Sequence, residues 1–117
     1  GWLLLQDGRW HGQQLFPAGW LAAARSKTDQ ADGRRSPYGA HVWLTHDTEQ
    51  LSCKSNAVLP EGGLLLSGHW GQAVGVFPSR QTVIVRLGWT TDQSQWDACS
   101  FMNKVLATLP GQAKGGG

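Results

Sequence analysis

Long apolar runs are missing from this chain of 117 residues. None approaches the roughly 18 to 20 residues that cross a bilayer as a helix, so no membrane span is expected in this segment. No charged-then-apolar leader stands at the front either. Charge of one sign is also scarce: ten Lys and Arg against eight Asp and Glu leave +2 with the histidines neutral. Nucleic-acid binding needs clustered cations, and Arg34-Arg35 is only a pair, which suits a solvated loop. Cysteine is limited to Cys53 and Cys99. That is too few for a disulfide framework, and neither lies in a Cys-x-x-Cys pair. One bridge is compatible with an oxidising compartment, but two free thiols are the simpler reading. There is one tyrosine, Tyr38. No Met and no N-cap precede Trp2-Leu3-Leu4-Leu5, so the chain reads as entered midway through a helix, with an upstream segment expected.

The pattern that remains predicts a mixed α/β (α+β) fold, an antiparallel sheet flanked by helices, over 1–110, with 111–117 a flexible glycine-rich tail. Trp2 to Gln6 is expected to be the last turns of a helix, stopped by the left-handed conformation that Asp7-Gly8 allows. Pro17 is expected to open a second helix, from Ala18 to Arg25. Ser26 to Pro37 reads as a surface loop, and Tyr38 to Leu44 as a strand. Leu64-Leu65-Leu66 is too short to type from periodicity. Ala73 to Phe77 and Thr82 to Leu87 make a hairpin across Pro78-Ser79-Arg80-Gln81. Both faces of its second strand are apolar except at Arg86, as expected when helices cover a sheet on two sides. Trp96, Cys99, Met102, Leu106 and Leu109 define one helical face, and Ser94 with Asp97 suits a capping box.

Ser67-Gly68-His69-Trp70-Gly71-Gln72 carries the chemistry. A polar, glycine-flanked His-x-Gly at the mouth of an apolar strand sets an imidazole and approachable backbone N–H groups beside a hairpin. This stretch resembles the last characteristic segment of the serine beta-lactamase and penicillin-binding-protein-like hydrolases, in their esterase and 6-aminohexanoate-dimer-hydrolase-like branch. There a Gly-His-x-Gly-Gln stands where beta-lactamases carry Lys-Thr-Gly. The resemblance extends to Leu3-Leu4-Leu5-Gln6-Asp7-Gly8-Arg9-Trp10, similar to the end of a family helix, and to Leu15-Phe16-Pro17-Ala18-Gly19-Trp20, similar to the start of the next. Tyr38-Gly39-Ala40-His41-Val42-Trp43-Leu44 resembles a family strand.

The family's Ser-x-x-Lys nucleophile motif and its Tyr-x-Asn-like motif are both absent. No serine here has lysine three residues later, and Tyr38 precedes Gly39-Ala40. Acyl transfer needs an activated nucleophile held beside its base. The resemblance therefore implies the carboxy-terminal part of a beta-lactamase/transpeptidase-like fold, inactive alone, whose partner is the amino-terminal part of the same protein. The parent would be a serine hydrolase that takes a small-molecule ester or amide through an acyl-enzyme without a cofactor. Family likeness favours a periplasmic or secreted parent. Replacement of Lys-Thr-Gly by His-Trp-Gly favours esterase or amidase chemistry over beta-lactam hydrolysis.

Carried over from the family, His69 faces the catalytic serine, where an imidazole can hydrogen-bond substrate or relay a proton near neutral pH. The Gln72 backbone N–H is the expected oxyanion-hole donor. Gly71 lets substrate approach the backbone, and Trp70 is expected to wall the cleft. Without the family, His69 also suits a strand-end histidine that hydrogen-bonds a carbonyl, and Trp70 suits core packing. Trp2, Trp20, Trp43, Trp89 and Trp96 sit in apolar patterns and are expected to supply core volume. No metal site is expected, because His41 and His46 are five apart, which would put them on opposite strand faces. A non-catalytic binding module that keeps the cleft wall as a ligand surface is the competing expectation.

Overall fold

A computed structural model describes residues 1–25, 42–45 and 58–110. Within them the chain is a mixed α+β protein with a four-stranded antiparallel sheet. The strands are β3 (Trp43–Leu44), β4 (Leu64–Ser67), β5 (Ala73–Phe77) and β6 (Thr82–Arg86), hydrogen-bonded in that order. A separate two-stranded ribbon joins β1 (Arg9–Trp10) to β2 (Gln13–Gln14). The helices are α1 (Trp2–Leu5), α2 (Trp20–Ala24) and α3 (Ala98–Thr108).

Alternation of side chains along the strands sends two apolar sets to opposite faces. Leu65, Ala73, Phe77 and Ile84 meet Cys99, Met102 and Leu106 of α3, with Trp96 and Phe101 packed beside them. On the other face Leu64 and Val76 meet Leu21 and Ala24 of α2, and Leu4, Leu5 and Val83 pack against that cluster. The sheet is thus covered by helices on two sides, as the sequence of β6 implied. Its register places Leu64 opposite Val76 and Val76 opposite Val83. That register decides which side chains each helix meets.

The hairpin closes as expected, through a 3₁₀ turn at Pro78–Arg80 and a left-handed Gln81 (φ 47°). The Arg80 guanidinium reaches the Leu106 carbonyl at 3.0 Å and satisfies an end-of-helix acceptor on α3. Leu64 to Ser67, ambiguous from sequence, becomes a central strand because it pairs on both sides.

Several local expectations shift. The first helix does stop at Asp7 (φ 52°) and Gly8 (φ 84°). The second begins at Trp20 rather than Ala18, behind a left-handed Gly19 whose N–H donates to the Asp7 carboxylate at 3.0 Å. Pro17 instead lies in the turn before the helix and offers its carbonyl to the Trp20 N–H at 3.2 Å. The final helix begins at Ala98, and Asp97 is its N-cap, accepting from the N–H groups of Cys99 and Ser100. The capping-box reading of Ser94 and Asp97 is therefore corrected. Ser94 bonds Asp92 in a separate 3₁₀ turn, and an extended Asp97 cannot be the third residue of a helix begun at Ser94.

The reading of two free thiols is overturned, because Cys99 is disulfide-bonded. Its placement at the fully buried start of α3 fixes that helix covalently. Core volume is also wrong for three tryptophans: Trp2, Trp20 and Trp89 are 48%, 41% and 74% exposed, because they stand at element ends rather than on the covered faces. Trp43 and Trp96 do pack against the core. The expectations at Arg34-Arg35, Tyr38, His41, His46, Cys53 and 111–117 lie outside the described residues. Among the described residues no helix is long and apolar enough to cross a membrane, and no three metal-binding side chains cluster.

Candidate functional site

The four residues singled out by the sequence share one turn. β4 and β5 end their ladder at the Ser67–Ala73 pair, and the Gly68 N–H donates to the Gln72 carbonyl at 2.7 Å just beyond it. Between these anchors the chain reverses through His69–Gly71. Trp70 (φ 54°, ψ 41°) and Gly71 (φ 84°) are consecutive left-handed residues, and Gln72 returns to extended backbone. Glycine takes that conformation freely, whereas an L side chain such as Trp70 costs about 1–2 kcal/mol there. Such a residue persists only when its surroundings over-determine it.

Arg86 supplies much of that determination. It stands opposite Ala73 at the end of β6, and the small alanine leaves room for a long side chain on the α3 side of the sheet. Its Nη1 donates to the Gly71 carbonyl at 2.8 Å and lies 3.5 Å from the Trp70 carbonyl, while Nη2 donates to the Thr90 hydroxyl at 2.7 Å. The guanidinium lies over Trp96, 4.2 Å from the ring centroid. Its described partners are thus carbonyls, a hydroxyl and a π face rather than a carboxylate. The Thr90 N–H donates to the same Trp70 carbonyl at 3.0 Å. A Cβ on Gly71 or on Gly88 would overlap the Arg86 guanidinium, so both glycines make way for that side chain.

Aromatic packing completes the turn. The His69 and Trp70 rings stack at 4.3 Å and 30°, and Trp89 meets Trp70 edge-on at 4.4 Å. His69 and Gln72 are exposed, Trp70 is half-buried and Gly71 is buried. The imidazole is therefore open to a ligand and braced from behind by an indole. The Gln72 N–H donates to the His69 carbonyl at 3.3 Å, a long bond. The open side of Gly71, which the sequence reading gave to substrate, faces Arg86 here. Beside the turn lies a groove of about 210 Å³ whose lining includes Ser67, Gly68, Gln72, Arg86 and Leu87.

Arg86, Trp89 and Thr90 were not among the site residues expected from sequence. The signal for Arg86 was nonetheless visible, as the one charged side chain in an otherwise apolar strand. No family model, curated protein or solved structure matches the chain.

Proposed function

We propose that the chain is the carboxy-terminal part of a beta-lactamase-related serine hydrolase, contributing one wall of a cleft that makes and hydrolyses an acyl-enzyme from an ester or amide. One observation carries this reading: Gly-His-Trp-Gly-Gln forms a braced turn at the end of a sheet strand, with His69 exposed and with Gly68 and Gln72 lining a groove. In this reading the nucleophile and its base come from a segment outside the 117 residues.

His69 hydrogen-bonds the substrate or relays a proton to the leaving group, roles open to an exposed imidazole. The Gln72 N–H, which the His69 carbonyl engages only at 3.3 Å, shares its proton with the oxyanion that develops on the acyl carbon. Trp70 forms the wall beneath the imidazole. Trp89 extends it, being exposed over most of its surface and in edge contact with Trp70.

The same exposed aromatic surface favours a second reading, in which the turn is a non-catalytic ligand-binding wall. The two readings separate in the full-length protein. His69→Ala is expected to lower turnover by about one to three orders of magnitude while the melting temperature holds. The isolated chain should resist acylation by a fluorophosphonate probe. Unchanged kinetics in the variant would demote His69 to a structural residue, and stoichiometric labelling of a serine within the 117 residues would refute the placing of the nucleophile outside them.

A further inference from the structure

We infer that Arg86 is a positioning residue which sets the orientation of the His69 ring and the Gln72 N–H. The value of that orientation for turnover rests on the hydrolase reading; the positioning itself does not. Trp70 and Gly71 are both left-handed, and the two carbonyls that follow from this conformation, Trp70 O and Gly71 O, turn toward the end of β6. A single planar guanidinium meets them there, and its second nitrogen is fixed by the Thr90 hydroxyl. Thr90 in turn bonds the Trp70 carbonyl through its own N–H. Arg86, Thr90 and the turn thus form a closed ring of hydrogen bonds, with Trp96 beneath the guanidinium.

Both functional groups hang on that ring. The imidazole belongs to the residue before Trp70 and rests on its indole, so a rotation of Trp70 carries His69 with it. The Gln72 N–H belongs to the peptide unit whose carbonyl is Gly71 O, the acceptor of the 2.8 Å bond from Arg86. A peptide unit is planar, so holding its carbonyl fixes the direction of its N–H. Lysine cannot replace the arginine in this role: one ammonium is a point charge and does not reproduce a rigid fork with donors at two separated sites.

NMR of the 117-residue chain and its Arg86→Lys, Arg86→Met and Thr90→Val variants tests the proposal without any turnover. Methyl signals of Leu65, Met102 and Leu106 report the fold. In wild type the His69 ring protons should carry a ring-current displacement from Trp70. In folded Arg86→Met that displacement should be lost, and the Gln72 amide should exchange about tenfold faster or more, the effect of losing one charge-assisted hydrogen bond. Arg86→Lys should restore thermal stability better than it restores the His69 displacement. Thr90→Val should weaken both signals in the same direction with the core methyls unmoved, which keeps the proposal testable if Arg86→Met does not fold. Wild-type His69 and Gln72 signals in folded Arg86→Met, or in Thr90→Val, would overturn it. A full-length protein without hydrolase activity would count against the proposed function and leave this result standing.

Discussion

Gly71→Ala should be one of the most costly single-methyl additions in the described structure, and its cost should depend on Arg86. Two penalties combine. The first is conformational, since alanine at φ 84° pays about 1–2 kcal/mol for the left-handed backbone. The second is steric, because the new Cβ would occupy the place of Arg86 Nη1. Moving the guanidinium breaks its bonds to the Gly71 carbonyl and the Thr90 hydroxyl, and hydrogen bonds to charged groups contribute about 1.5–3 kcal/mol each. Taking one of the two bonds as lost and the other as remade by the displaced guanidinium, the total is about 2.5–5 kcal/mol, a large share of the roughly 5–15 kcal/mol that holds a typical domain together. In an Arg86→Ala background only the conformational part should remain, about 1–2 kcal/mol. Urea unfolding of wild type, both single variants and the double variant gives the coupling directly. Coupling of about 1.5 kcal/mol or more is expected. Additivity within about 0.5 kcal/mol would show that Arg86 does not occupy the space beside Gly71, and the clamp would fall with it.

Two further outcomes test the frame around the site. Asp97→Ala should destabilise the chain by about 1 kcal/mol in urea, because it removes the cap from two N–H groups of α3; an unchanged midpoint would place the helix start elsewhere. Val85 and Leu87 are 55% and 83% exposed near the half-exposed Leu66 and Val74, so the chain should bind a hydrophobic dye or self-associate. Val85→Lys with Leu87→Lys should suppress this, and a monomeric, dye-silent wild-type chain would contradict it.

The hairpin and the covered face of α3 were legible because each depends on a local pattern. Two short apolar runs, Ala73–Phe77 and Thr82–Arg86, joined across a turn that opens at Pro78, mark two strands, and Cys99, Met102 and Leu106 fall on one side of a helix whatever it packs against. The turn holding His69 through Gln72 could also be found, since its glycines flag backbone freedom. What escaped depends on tertiary placement. The exposure of Trp2, Trp20 and Trp89 follows from where elements end, which composition does not carry. The start of α2 was set by a bond between Gly19 and Asp7, twelve residues apart. Arg86 looked like an interruption in an apolar strand until the register put it opposite Ala73, within reach of Gly71.

The most direct test of the hydrolase reading is the coding sequence upstream of Gly1, followed by fluorophosphonate labelling of whatever polypeptide it encodes. The account predicts an in-frame Ser-x-x-Lys and a Tyr-x-Asn-like motif, with the label on that serine and its rate of attachment reduced by His69→Ala. A start codon immediately before Gly1, or a longer polypeptide that lacks both motifs and takes no label, would contradict it and leave the braced aromatic turn as a binding surface.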